Sequence, residues 1–198
     1  MSDGFVKPLM KSCRNLFWSF NNQMNRIFLK RRFFIALLTL SLLVSNSGLL
    51  TASQYRVTRV TDGDTIQVVA GDTKTTVRLV GIDASEVSHS KNRPGQPFSK
   101  AAAKHLAAMV LNKTVEIKSY GPDRYGRTLA EVVAGRRNMN LEMLRAGLAE
   151  VYRGKPPPGL DMRPYWKEEY DAKAAKRGMW AQGDDYVSPK EWRKAHGN

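Results

Sequence analysis

Apolar and polar positions along this chain fall into distinct regimes. Residues 33–44 (FFIALLTLSLLV) are apolar almost without a break, whereas residues 55–82 largely follow the period of two expected of half-buried strands. In the first strand Tyr55, Val57 and Val60 are interleaved with Arg and Thr. Asp62-Gly63 then supplies turn chemistry, residues 65–70 are β-rich, Gly71-Asp72 turns again, and residues 75–82 form a third strand. Three closely spaced strands with short turns make an antiparallel meander. After a polar loop over 88–96, Pro97 opens a helix in which Phe98, Ala102, Leu106, Met109 and Val110 share one face. Residues 115–120 and 128–134 read as two more strands. A second helix over 138–146 buries Leu141 and Leu144 and stops at Gly147. A third begins near Pro164 and sets Trp166, Tyr170 and Ala174 along one side. Five strands, with helices after the third and fifth, predict an α+β and mainly β fold. The expected form is a five-stranded OB-fold barrel with three helices over 54–183, followed by a C-terminal tail at 184–198.

Composition bounds this picture. The chain has 198 residues, 42% of them hydrophobic and 25% charged, which is globular composition and argues against a mostly disordered chain or a multi-span membrane protein. Its single cysteine, Cys13, excludes an internal disulfide framework. The net charge of +14 invites a polyanion, but charge alone does not separate nucleic acid from anionic lipid. The surplus is also uneven. Residues 1–32 carry seven basic side chains and one acid, Asp3, and residues 33–53 carry no charge, leaving +8 for residues 54–198.

Basic residues up to Arg32, the apolar run and the small residues Thr51-Ala52-Ser53 form the three regions of an export signal, which implies a secreted or periplasmic protein. Twelve strongly apolar residues suit a cleaved signal better than a span of about 20, although Leu49 and Leu50 would extend an uncleaved anchor to about 18. Met24 begins MNRIFLKRR, a more usual leader length, and is a candidate start, with residues 1–23 as an extension. Cleavage would leave about 145 residues from Gln54, without cysteine and long enough for one core.

Candidate chemistry concentrates at strand ends. Asp62-Gly63-Asp64-Thr65 is, in isolation, more often a hairpin turn than a metal site. The stretch Arg78-Leu79-Val80-Gly81-Ile82-Asp83-Ala84-Ser85-Glu86 changes that reading. It places an arginine in an otherwise apolar strand and two carboxylates three residues apart just beyond, with Gly81 permitting a bend. Hard cations such as calcium need several oxygen ligands, which loops at strand ends can converge; the plainer reading is a salt bridge from Arg78 to a nearby acid. Asp123-Arg124-Tyr125-Gly126-Arg127 carries a second arginine back into a strand. Two guanidiniums beside a divalent ion can clamp a phosphate and stabilise pentacoordinate phosphorus, whereas the plainer reading is a surface turn with solvated arginines.

The ordered set Asp62-Gly63-Asp64-Thr65, residues 78–86, residues 123–127 and Leu144-Arg145-Ala146-Gly147-Leu148-Ala149 resembles the thermonuclease family, typified by staphylococcal nuclease, and covers nearly all of residues 55–180. The resemblance implies a secreted, calcium-dependent nuclease that cleaves DNA and RNA to 3′-phosphate ends. Asp64 and Asp83 would bind calcium directly, with the backbone carbonyl of Ala84 as a further ligand and Asp62 acting through water. Glu86 would be the general base that activates water, while Arg78 and Arg127 hold the phosphate. Tyr125 would hydrogen-bond a terminal phosphate or stack on a base. Ala84 stands where the staphylococcal pattern has threonine, and Ser85 replaces a proline, which would loosen the loop that holds Glu86. The family's nucleotide-contacting tyrosine does not align: Tyr152 is one position early and Arg153 takes its place, so Tyr152 is a substrate contact or a core residue.

Other residues carry less. His89, His105 and His196 lack ligand spacing. Trp166, Trp180 and Trp192 read as packing anchors, with Trp192 in the tail. Lys173, Lys176 and Arg177 read as a solvated face, and the Lys155-Pro156-Pro157-Pro158-Gly159 loop as a stiff connector or a groove wall. No obligate protein partner is implied, and a monomer is expected. A non-catalytic OB module that binds single strands is the alternative function, and a membrane-binding basic surface is a third. Retention of Asp64, Asp83, Glu86, Arg78 and Arg127 together favours the enzyme, since a binding module has no need of all five.

Overall fold

The computed structural model describes residues 54–88 and 94–196. The leader readings for residues 1–53 and the reading of His89 fall outside them. The barrel grows directly from the alternating strands. In β1 (Gln54–Val60), Val57 is buried between outward-facing Arg56 and Thr58, and a register shift between Val57 and Arg59 resets the phase so that Tyr55, Val57 and Val60 all reach the core. β2 (Thr65–Ala70) buries Ile66 and Val68, and β3 (Thr73–Leu79) buries Val77 and Leu79, the two strands pairing antiparallel with Ile66 opposite Val77. β5 (Thr114–Pro122) pairs antiparallel with β1 and with β6 (Thr128–Ala134). Parallel pairing of β3 with β6, Arg78 opposite Leu129, closes the sheet on itself. Five strands thus form the expected closed OB-type barrel, in which closure removes the exposed edges of an open sheet.

Three short strands complete the sheets. β7 (Arg137–Asn138) extends β6, while β4 (Ile82–Ala84) pairs antiparallel with β8 (Ala149–Val151) in a separate ribbon. The third strand therefore does not run continuously to Ile82 as expected. It breaks after Leu79 because Gly81 has φ +79°, and a Cβ there would lie 2.8 Å from the Tyr165 ring.

The three expected helices are present: α1 (Ser99–Val110), α2 (Met139–Arg145) and α3 (Arg163–Ala174). Asn138 caps α2 by accepting hydrogen bonds from the Asn140 and Leu141 amides. Within α2, buried Asn140 accepts from the Val132 amide at 3.1 Å and donates to the carbonyls of Val80 at 2.8 Å and Ala130 at 3.1 Å, tying the helix to the chain after β3 and to β6. Met139, Met143 and Leu144 form its fully buried apolar face, with Leu141 only partly covered. α3 buries a face rotated from the one expected. Tyr165, Glu169 and Ala172 are buried, whereas Trp166 is 46% and Tyr170 72% exposed. Glu169 wins the inner position because it accepts from the Val151 amide at 2.8 Å and from Arg153 at 2.7 Å, so its burial leaves no unmet charge.

The chain after residue 177 is ordered into a 3-10 segment (Gly178–Asp185) and a fourth helix, α4 (Pro189–His196). Trp180 is a packing anchor as expected; Trp192 lies half-buried on α4, stacked on His196 with ring centroids 4.0 Å apart. Among the described residues no helix is long and apolar enough to cross a membrane.

Candidate active site

The turn between β1 and β2 is also part of a site. Asp62 accepts from the Asp64 amide at 3.0 Å, and Thr61 N–H donates to the Thr65 carbonyl at 2.9 Å, which makes a tight local turn. Gly63 is needed there for close approach, since a Cβ would come within 2.6 Å of Ala102 and 2.7 Å of Ala84. That packing presses Asp64 against β3 and β4. Its carboxylate accepts from Thr65 Oγ1 at 3.0 Å and from the Ala84 amide at 2.9 Å, and pairs with Arg78. Arg78 points away from the core because its neighbours Val77 and Leu79 take the inward positions of β3. β4 repeats the logic, with Ile82 and Ala84 in the core and Asp83 on the opposite side, 2.8 Å from Arg78 Nη2.

Asp64 and Asp83 are 2% and 1% exposed. Burial raises the Asp64 carboxyl to about 7, with Arg78 opposing and the charges of Asp62 and Asp83 adding to the rise. Arg78 is held protonated: burial works against its charge, but Asp64 and Asp83 outweigh it. Glu86 lies just beyond β4. The loop that Ser85 was expected to loosen is tied by Gln96, whose side-chain oxygen accepts from the Glu86 amide at 3.0 Å and whose own amide donates to the Glu86 carbonyl at 2.9 Å. Ser85 itself is buried against Met179.

The β5–β6 connection supplies the second arginine. Asp123 accepts from the amides of Tyr125 at 2.8 Å and Arg127 at 3.0 Å, and from Arg127 Nε at 2.8 Å, so one carboxylate shapes the turn and orients the guanidinium. Tyr125 is exposed, with the guanidinium carbons of Arg124 and Arg127 at 4.7 and 5.5 Å from its ring centroid.

The charged groups among these line one cavity of about 1060 Å³. Asp62, Asp64, Arg78, Asp83, Ala84, Glu86, Tyr125 and Arg127 are brought together there, as the sequence pattern predicts. Tyr152 is on its wall and exposed rather than in the core, and Lys155, Pro156 and Pro157 of the stiff loop form part of the rim. The two described histidines stay apart from it: His105 is on α1 and His196 at the end of α4. Arg153, in the place of the missing tyrosine, is engaged with Glu169 and lies 4.9 Å from the Trp166 ring centroid. Lys173 is likewise structural, pairing with Glu169 at 3.3 Å and lying over Trp180.

Residues beyond the sequence reading also enter the cavity. Glu150, opposite Asp83 in the β4–β8 ribbon, is buried; burial raises its carboxyl, although Tyr186 donates to it at 2.7 Å. Lys190, Arg193 and Lys194 reach the cavity from α4. Arg193 donates to both oxygens of Asp83, at 3.1 and 2.7 Å, and also pairs with Glu86. A signal for α4 stood in the sequence: Ser188-Pro189-Lys190-Glu191 is a capping box, and the structure shows its reciprocal bonds, Glu191 amide to Ser188 Oγ at 3.2 Å and Ser188 amide to Glu191 at 3.3 Å. Nothing local signalled where Arg193 would land.

The donor set suits a hard cation. Asp62, Asp64, Asp83 and Glu86 bring hard oxygen donors to one cavity, and burial, with the charges of Asp62 and Asp83 adding to it, raises the Asp64 carboxyl. Among the described residues no three carboxylate, imidazole or thiol groups converge to chelate an ion as they stand. Guanidiniums bridge the carboxylates instead, Arg78 between Asp64 and Asp83, and Arg193 between Asp83 and Glu86.

Residues 76–182 match the family described as staphylococcal nuclease homologue. A Haemophilus influenzae protein named "Uncharacterized endonuclease" is 34% identical over 140 residues, covering 70% of this chain and 72% of the relative. Two fungal proteins named "Probable endonuclease LCL3" are also similar. The one from Paracoccidioides lutzii is 39% identical over 132 residues, 59% of this chain and 37% of the relative. The one from Kluyveromyces lactis is 40% identical over 113 residues, 54% of this chain and 42% of the relative. The chain thus spans less than half the length of these two fungal relatives and nearly three quarters of the bacterial one.

Proposed function

Because the chain belongs to the staphylococcal nuclease homologue family, we propose that it is a phosphodiester hydrolase, a calcium-dependent nuclease that cleaves DNA and RNA to 3′-phosphate ends. The observation that carries this reading is the meeting of Arg78, Arg127 and Glu86 with the buried pair Asp64 and Asp83 in one cavity. A module that only binds polyanions gains nothing from buried carboxylates facing the phosphate.

In this scheme the non-bridging oxygens of a phosphodiester sit between Arg78 and Arg127. Asp64 and Asp83 orient the first guanidinium and Asp123 the second, so both are set before substrate arrives. Glu86 takes a proton from water as the water oxygen attacks phosphorus. The P–O5′ bond then breaks, the 5′ oxygen takes a proton from solvent, and the phosphate stays on the 3′ side. Charge that builds on the equatorial oxygens is met by the two arginines. Asp64, Asp83 and the Ala84 carbonyl, with Asp62 acting through water, would hold calcium, which would supply further positive charge there. Tyr125 and Tyr152, both exposed on the cavity wall, offer faces for stacking bases. The basic and apolar leader supports action outside the cytoplasm, as a secreted or periplasmic enzyme.

The test is a nuclease assay of the full-length chain on single- and double-stranded DNA and RNA, with calcium, magnesium and chelator compared. Glu86→Gln is expected to lower calcium-dependent cleavage about 10²–10⁴-fold while nucleotide binding persists. Activity retained in that variant, or full activity in chelator, overturns the mechanism. Binding of single strands by the unaltered chain with no cleavage in any metal marks the non-catalytic module instead.

A further inference from the structure

Arg193 stands in an unusual position for a residue of a C-terminal helix. Its guanidinium engages Asp83 through both oxygens and reaches Glu86 as well. Asp83 Oδ1 also accepts from Arg78 at 2.8 Å, so both oxygens of this buried carboxylate are engaged by arginines. A divalent ion that uses Asp83 must take lone pairs that Arg193 now holds, and a second guanidinium left there in addition to Arg78 would repel it.

Only one of the two arginines is free to leave. Arg78 extends from the middle of the barrel wall, between buried Val77 and Leu79. Arg193 lies on α4, eight residues long, in which Pro189 alone is buried. Before it, Gln96 Nε2 donates to the Val187 carbonyl at 2.7 Å and Tyr186 packs on Trp180 with ring centroids 4.6 Å apart, so the chain up to Val187 is held without Arg193; within α4, Trp192 is half-buried and stacks on His196. A short helix with Pro189 as its buried residue and a guanidinium as its tie to the acidic centre loosens when the guanidinium loses its partners. Gln96 also holds the Glu86 amide, so the strap before α4 and the loop that carries Glu86 share one side chain.

We propose that Arg193 is a tethered counter-cation that competes with the divalent ion for Asp83 and occupies the base Glu86 meanwhile, so that α4 clasps the site without the ion and lets go when the ion binds. The proposal rests on the calcium reading above. With no ion present, Arg193 offsets the cost of gathering Asp64, Asp83 and Glu86 in a poorly solvated place. With the ion present, that need disappears and the two cations exclude one another.

The experiment measures calcium binding by calorimetry, and amide hydrogen exchange of residues 189–196, on the full-length chain, on Arg193→Gln and on Lys190→Gln. The last removes the same charge from the same helix without touching Asp83 or Glu86. Arg193→Gln is expected to bind calcium at least about tenfold more tightly, as loss of charge-assisted hydrogen bonds to the ligands implies, and Lys190→Gln within about threefold of the unaltered chain. Calcium should speed exchange over 189–196 in the unaltered chain, and in Arg193→Gln that segment should exchange fast with or without calcium. Equal or weaker calcium binding by Arg193→Gln overturns the competition. Tighter binding with no calcium effect on exchange in the unaltered chain overturns the release of α4. Calcium bound by none of the three proteins overturns this proposal and the calcium reading together, whereas the first two results leave that reading standing.

Discussion

Single residues in this protein are legible when the reason for them is local. Arg78 and Asp83 stand out in the sequence because each interrupts an apolar strand pattern, and Asp64 because it belongs to a turn motif; in the structure Arg78 and Asp83 take the positions that the alternation leaves facing away from the core. Glu131 shows the opposite case. It sits in β6 without any motif, yet it accepts from Tyr120 at 2.6 Å, Lys118 and Asn138 at 3.0 Å and Tyr165 at 3.2 Å. Burial pushes its carboxyl up, but the hydrogen bonds from Tyr120 and Lys118 and the charge of Lys118 outweigh it, and the group is held below the ordinary glutamate value of 4.5. A folded-state value below the unfolded one means that the folded chain binds fewer protons. The stability from Glu131 is therefore complete above the unfolded value and is lost as pH falls through the folded one. Glu131→Gln is expected to lower stability near pH 7 by about 1–3 kcal/mol and to flatten the acid limb below pH ~4.5, as urea melts over a pH series would show. An unchanged acid limb would assign acid unfolding to other carboxylates.

At the scale of elements, the strands were easier to read than the helix faces. Period two has only two faces, and charge on one of them decides which turns outward; a helix offers many directions, and α3 chose the one where Glu169 finds hydrogen bonds over the one that would bury Trp166 and Tyr170. The break between β3 and β4 is the joint on which the site depends. Gly81 places Asp83 and Glu86 across from Asp64, and Tyr165 packs against it. Gly81→Ala puts a Cβ both at positive φ and against that ring, and is expected to cost about 2–4 kcal/mol. Thermal unfolding measures the loss. Activity per folded molecule should fall as well, because the ribbon that carries Asp83 shifts with Gly81; a variant with unchanged melting temperature would show that the joint is soft.

For the whole molecule, the sequence charge of +14 divides into +6 for residues 1–53 and +8 for residues 54–198. Part of that +8 surrounds the cavity, where Arg124, Arg127, Arg153, Lys155, Lys190 and Lys194 line the walls around a carboxylate floor. On the proposed function, a polyanion would be drawn to the rim and meet the acids only at the centre. Binding of a short DNA by Glu86→Gln, which should bind without cutting, is expected to weaken about tenfold or more between about 50 and 200 mM salt. Affinity independent of salt would mean that the basic rim takes no part in binding.

The sequence by itself determined the barrel, its three main helices and the identity of the charged groups at strand ends, because strand alternation, turn residues and short motifs are local in the chain and each acts within a few residues. It also determined the division of charge, which is a matter of counting. Only the tertiary structure decided that Glu169 and not Trp166 faces inward, that Gln96 steadies the loop of Glu86, and that Arg193, more than a hundred residues from Asp83, closes on the acidic centre. Such pairings depend on which surfaces meet after the barrel has closed, and charges distant in sequence carry no mark of that meeting.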